Sequence, residues 1–181
     1  MNLESIKGKN INLRKAKLSD LETIFNNVWK DKDLLKYTVW RTSENLEEAK
    51  DRLLRNIEYQ KENPYIYFVT PSNSDEVIGF GGIVELKEGV FSEAGLCIAK
   101  DYQNQGKGLE LLKILLNLAF ITLNGKEFIY SFYKENVVSK ALCMHFPFVY
   151  KETKEVPNIE DRNLGHLEVY SLSKEDYLNS L

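Results

Sequence analysis

Residues Leu109 to Phe120 constrain this chain more than any other stretch. They run Leu109, Leu111, Leu112, Ile114, Leu115, Leu116, Leu118, Ala119 and Phe120, with polar Glu110, Lys113 and Asn117 three and four apart. That spacing is helical, and a helix with one thin wet stripe must be covered on nearly every other side. Asn124-Gly125 supplies a left-handed stop. Strand-like runs flank the helix, Phe91 to Ala99 before it and Phe128 to Phe132 after it. A crossover helix returns the chain in the same direction, so these two strands form a parallel or splayed pair within a mixed sheet.

The remaining elements follow from shorter signals. Ile11 to Arg14 alternates as a strand, and Ser19 with Glu22 matches a capping box opening a helix through Leu21, Ile24, Phe25 and Val28. A second helix is predicted from near Ser43, with Leu46, Ala49, Leu53, Leu54 and Ile57 on one face and Asn63-Pro64 as its stop. Tyr65 to Thr70, Val77 to Leu86 and Phe91 to Ala99 read as an antiparallel meander. A last helix spans about Asn136 to His145 before Pro147, and Phe148 to Lys151 and Leu167 to Leu172 are closing strands. The acidic stretch between them, ETKEVPNIEDRNLG, reads as a surface loop. The expected fold class is mixed α/β, a mostly antiparallel sheet flanked by helices.

Composition narrows the function classes. With 181 residues, 43% of them apolar, the chain suits one soluble domain spanning 1–181. No apolar run approaches the roughly 20 residues of a membrane helix, and MNLESIKGKN lacks the apolar stretch of a secretory signal, so the expected location is cytoplasmic. Two Cys and two His do not supply a zinc cage, and no metal is expected. A net charge of −3 argues against a nucleic-acid partner.

Gln103-Asn104-Gln105-Gly106-Lys107-Gly108 joins the end of an apolar strand to the buried helix. The first turn of a helix has unpaired N–H groups and the positive end of the backbone dipole, and glycines let a diphosphate approach them. Lys107 adds a cation. A Walker loop is excluded, since Asp101 and Gly108 stand where it needs Gly and Ser or Thr, and a dinucleotide fingerprint needs Gly where Leu111 stands. A turn that binds nothing has the same local letters.

With this motif placed between a strand and a long helix, the chain resembles the GCN5-related N-acetyltransferases (GNAT). EAGLCIAKDYQNQGKGLELL is similar to the RimJ and RimL type of ribosomal-protein acetyltransferase, as are Asn136-Val137-Val138-Ser139, INLRKAKLSDLETIF and HLEVYSLSKEDY. The resemblance implies acetyl-CoA as cosubstrate, held by main-chain groups of Leu96 and Ile98, by the amides of Gln103, Asn104, Gln105, Gly106, Lys107, Gly108 and Leu109, and by Asn136. Asn136 is equally suited to cap a helix.

It further implies transfer of acetyl to a primary amine, a protein amino terminus or a small molecule, with a homodimer compatible. Many relatives protonate the leaving thiolate with a Tyr where this chain has Cys143; the resemblance to the ribosomal-protein branch implies Ser139 instead, as hydrogen-bond donor to the cofactor sulfur, a position where a first-turn Ser also suits the helix backbone. Pro147 likewise replaces a Gly. These two departures leave a non-catalytic acetyl-CoA-binding module as the alternative. Glu93 is the first candidate for the base and His166 the second. Trp29, Tyr37 and Trp40, with Tyr65 and Tyr67, either line the acceptor pocket or form core beneath the first helices. Cys97 and Cys143 read as small buried apolar residues.

Overall fold

Antiparallel pairing begins near the amino terminus, where Ile11–Arg14 takes Ser5–Lys7 on one side and Ile66–Pro71 on the other. The computed structural model describes residues 3–38, 40–157 and 164–181. In chain order its elements are β1 (Ser5–Lys7), β2 (Ile11–Arg14), α1 (Leu21–Ile24), α2 (Leu46–Glu62), β3 (Ile66–Pro71), β4 (Gly79–Lys87), β5 (Val90–Ile98) and α3 (Lys107–Asn117). Then follow β6 (Glu127–Tyr133), α4 (Val137–Cys143), β7 (Val149–Glu155), β8 (His166–Ser173) and α5 (Lys174–Asn179). The strands form one mixed sheet in the order β1-β2-β3-β4-β5-β6-β8-β7, flanked by helices. Its parallel pair, β5 with β6, is the one bridged by the leucine-rich helix, as the crossover argument requires. The chain divides into two compact units, Met1–Gly82 with Ala94–Leu111, and Ile83–Glu93 with Leu112–Leu181.

In the first unit β2 alternates, burying Ile11 and Leu13. The helical segment that follows is opened by Asp20 and not by Ser19. The Asp20 carboxylate accepts the Lys17 N–H at 2.7 Å and a two-point bond from Arg14 at 2.7 and 2.8 Å, while Ser19 is exposed. A buried bidentate pair outweighs a surface hydroxyl as an anchor. After α1 the chain widens into a π-type turn, Phe25–Trp29, that buries Val28 and Trp29. Ser43 does not start the second helix. It is buried with its N–H on the Trp29 carbonyl at 2.8 Å, and Asn45 caps α2 by accepting the Glu48 N–H at 3.0 Å. Ala49 and Leu53 face the core, whereas Leu46 and Leu54 are 44% and 43% exposed. Buried Gln60 instead completes that face by accepting the Ala16 N–H at 2.8 Å.

In the second unit β5 and β6 pair from Val90↔Glu127 to Ser92↔Ile129. β8 pairs antiparallel with β6 from Glu127↔Ser173 to Tyr133↔Leu167, and takes β7 on its other side. β7 extends to Glu155, so the first four residues of the expected acidic loop are strand. Residues 158–163 of that loop lie outside the described residues. Neither β1 nor α5 stood out in the sequence. Ser173 caps α5 by accepting the Asp176 N–H at 3.0 Å, and Tyr177 donates its hydroxyl to Asn117 at 2.8 Å while its ring tilts against Phe120 at 5.2 Å. Cys97 and Cys143 are both buried and free, as expected. Among the described residues no helix is long and apolar enough to cross a membrane.

Candidate active site

The first unit carries a loop of unsatisfied donors. After Ile98 a short turn, Lys100–Tyr102, leads into Gln103, whose N–H donates to the Lys100 carbonyl at 3.1 Å and whose side chain donates to the Ile98 carbonyl at 2.8 Å. The Gln103 amide, expected among the diphosphate donors, is therefore already satisfied. Asn104 and Gly106 then adopt positive φ, 57° and 75°, and the Gly106 carbonyl accepts the Glu110 N–H as the first bond of α3. Among the described residues, no protein acceptor meets the N–H groups of Asn104, Gln105, Gly106, Lys107, Gly108 or Leu109. Two left-handed residues so close together help to turn successive N–H groups toward one side, as in an anion-binding concavity at the positive end of a helix. A Cβ on Gly106 would meet nothing within 4 Å, so the approach is open.

Side chains fix this loop. Gln105 donates to the Asp101 carbonyl at 2.9 Å and accepts from Lys107 Nζ at 2.6 Å, and Tyr102 donates to Glu76 at 2.8 Å. Leu96 and Ile98 precede it on β5, Leu96 half-buried and Ile98 buried.

The same unit contains a cavity of about 820 Å³. Trp29, Trp40, Phe68 and Phe80 give it aromatic walls, with Arg41, Arg52 and Arg55 as its cations and Glu48 and Asp51 as its acids. Trp40 meets Phe80 edge-on at 4.7 Å, and only a glycine permits this: a Cβ on Gly95, at φ +127°, would come within 2.8 Å of the Trp40 ring. The Arg52 guanidinium lies 4.5 Å over the Trp29 ring and donates to the Arg41 carbonyl at 2.7 Å. Burial, with Arg55 adding repulsion, pulls Arg52 down to about 10. Trp29 is both core and wall, at 1% exposed. Tyr67 also borders the cavity, whereas Tyr37 and Tyr65 are not among its lining residues.

The second unit brings Glu93, Ser139 and Cys143 around Tyr130 of β6. Asn136 caps α4, its side-chain oxygen accepting the Ser139 N–H at 3.1 Å. Tyr130 is buried, and its hydroxyl has no hydrogen-bond partner among the described residues. Burial pushes its phenol up, the Glu93 charge pushes it further, and the Ser139 hydroxyl pulls it back. Burial also raises the Cys143 thiol to about 12, with Glu168 adding to it, so Cys143 stays a protonated apolar filler.

A second anchor of α4 is Lys140, whose Nζ sits 3.1 Å from Glu168, a carboxylate only 8% exposed that also accepts from the Tyr170 hydroxyl at 3.1 Å. Sequence reasoning overlooked this trio, though a Glu flanked by Leu167 and Val169 in an apolar strand was a visible signal. His166 is exposed at the head of β8, and no described side-chain contact joins it to Ser139 or Glu93.

The profile of the acetyltransferase (GNAT) domain matches residues 10–149. No curated protein sequence matches the chain. Among solved structures it is similar to a GCN5-related N-acetyltransferase from Brucella melitensis, at 12% identity and a TM-score of 0.85 over 99% of this chain and 83% of that one. It is also similar to a probable GNAT-family acetyltransferase from Chromobacterium violaceum, at 17% identity, a TM-score of 0.82 and coverage of 98% and 89%. A putative ribosomal-protein-serine acetyltransferase from Vibrio cholerae aligns at 21% identity with a TM-score of 0.78, over 93% and 97%. Such identities speak to the fold, while the profile spans most of the sequence. On that match, with an open donor loop at the head of α3, the chain belongs to the GNAT acetyltransferase family.

Proposed function

We propose that the chain transfers an acetyl group from acetyl-CoA directly to a primary amine, residues 1–181 acting as one cytoplasmic acetyltransferase domain. The carrying observation is the run of six N–H groups from Asn104 to Leu109 without protein acceptors. Their number, their place at a helix N-terminus and the open side of Gly106 fit a diphosphate. Acetyl-CoA supplies an activated thioester. Leu96 offers main-chain groups to the pantetheine arm, as does Ile98, whose carbonyl already accepts from Gln103. The Asn136 amide nitrogen, not used in its cap, is a further donor.

Glu93 takes the proton of the acceptor ammonium, the freed amine attacks the thioester carbonyl as the C–S bond breaks, and the leaving sulfur accepts a hydrogen bond from the Ser139 hydroxyl and takes up the proton that the nitrogen sheds. His166 remains the second candidate for the base. The likeness to the Vibrio cholerae structure supports the RimJ and RimL type, with a protein amino terminus as acceptor. The cavity of the first unit supports a small amine. Titration with acetyl-CoA, followed by thiol release over an amine and peptide panel, tests the reading. Binding and release are expected. Binding with no release on any acceptor would leave a cofactor-binding module, and no binding would refute the donor loop.

A further inference from the structure

Among the described residues Arg52 is a cation with no carboxylate partner. Its side chain is half-buried, its guanidinium is spread over Trp29, and one of its five N–H donors is engaged, by the Arg41 carbonyl. Among the described residues no carboxylate stands within 4 Å of it. Glu48, which shares the cavity lining, accepts the Glu44 N–H at 2.9 Å instead. Arg55, three residues along the same helix, repels it. Two guanidinium groups kept together at the wall of a cavity are stabilised by an anion that both can reach. The flat fork of Arg suits a carboxylate in two-point contact, the more so where water is scarce. Trp29, Trp40, Phe68 and Phe80 give the same cavity aromatic wall beside its polar and acidic residues, and about 820 Å³ admits a whole small molecule.

We propose that this cavity selects an acceptor bearing a carboxylate beside an apolar body, an amino acid-like small amine whose carboxylate docks on Arg52 and whose apolar part lies against Trp29, Trp40 and Phe80. The proposal rests on the acetyltransferase reading of the chain, but its test does not depend on turnover. The chain's two tryptophans, Trp29 and Trp40, both line the cavity, so tryptophan fluorescence reports its occupancy directly.

The probes are phenylalanine against phenethylamine and leucine against isoamylamine, each pair differing only in the carboxylate. For at least one pair, the wild-type protein is expected to bind the carboxylate form about 10- to 100-fold more tightly, the range a charge-assisted contact supplies. The same preference is expected in kcat/KM for thiol release from acetyl-CoA. In R52Q the ratio within that pair should fall toward one, and R52K should keep part of it. Equal or reversed affinities within both pairs for wild-type protein overturn the proposal whether or not R52Q folds. So does an R52Q protein that retains the full ratio. If no acceptor brings about thiol release from acetyl-CoA while fluorescence still shows the preference, the transferase reading fails and the anion site stands. Turnover without preference has the opposite meaning.

Discussion

Asn10 and Glu110, a hundred residues apart, are joined by two hydrogen bonds of 2.8 Å, from the Asn10 backbone N–H and side-chain amide to the two oxygens of the Glu110 carboxylate. Glu110 lies in the first turn of α3, so this contact ties the turn between β1 and β2 to the helix end that presents the donor loop. A carboxylate in that turn also complements the helix dipole.

Glu110→Ala should therefore weaken acetyl-CoA binding several-fold and lower stability by about 1 kcal/mol, a figure reduced for the partly solvated setting of the bonds. The pH dependence has a definite sign. Burial pushes the Glu110 carboxyl up, but hydrogen bonds from Asn10, Ile11 and Lys9 outweigh it and hold it below its ordinary 4.5. Stability from this group is thus complete above about 4.5 and is lost as pH falls through the lower folded value. In urea melts the gap between wild type and Glu110→Gln should narrow with acidification below that point. A gap that widens there would refute this account.

Gly106 separates backbone strain from ligand exclusion. At φ +75°, with open space where a Cβ would stand, Gly106→Ala should cost about 1 kcal/mol of stability from the left-handed conformation alone. Its acetyl-CoA affinity should fall less than about tenfold. Gly106→Glu should carry a similar strain yet abolish binding, because bulk and negative charge then occupy the anion's place. Calorimetric titration decides this, and equal affinity in Gly106→Glu would count against the diphosphate assignment.

Ser139→Ala is expected to reduce kcat by roughly 100-fold, the lower end of what a positioned proton donor contributes, with acetyl-CoA affinity within about twofold of wild type. Asn136→Ser offers a contrasting case: a hydroxyl preserves the helix cap, so melting should barely move, while the lost amide donor weakens acetyl-CoA. Were Asn136 only a cap, affinity would survive that change.

Tyr130→Phe removes a buried hydroxyl that makes no bond among the described residues. The chain should gain roughly 1 kcal/mol, because an unsatisfied polar group costs about that much to bury. A raised urea midpoint is expected. A lowered one would show that the hydroxyl has a partner after all, Ser139 being the side chain that pulls its phenol back.

The leucine-rich helix shows how far local pattern reaches. Its position, its burial and the parallel pair around it were legible, because nine apolar residues in twelve leave few ways to stay out of water. Its polar stripe was not simply wet: Glu110 bonds Asn10 and Asn117 takes the Tyr177 hydroxyl, both partners lying far away in sequence. Likewise local periodicity puts Leu46 and Leu54 on the apolar stripe of α2, where both are exposed, and the acidic composition of ETKE reads as loop where the chain forms strand. β7 can be polar from Lys151 to Glu155, since as an edge strand on β8 it has exposed side chains and is held by backbone pairing.

Periodicity, punctuation by Asn and Gly, and the letters from Gln103 to Gly108 determined the class of fold and the place of the donor loop, because each depends on neighbours within a few residues. Which carboxylate anchors a helix, which Arg lies over an aromatic ring with no carboxylate beside it among the described residues, and which tyrosine hydroxyls are buried there without a bond were decided only when distant segments packed, since burial and pairing are properties of the assembled surroundings. Asp20 on Arg14, Arg52 on Trp29 and Tyr130 beside Ser139 are all outcomes of that packing.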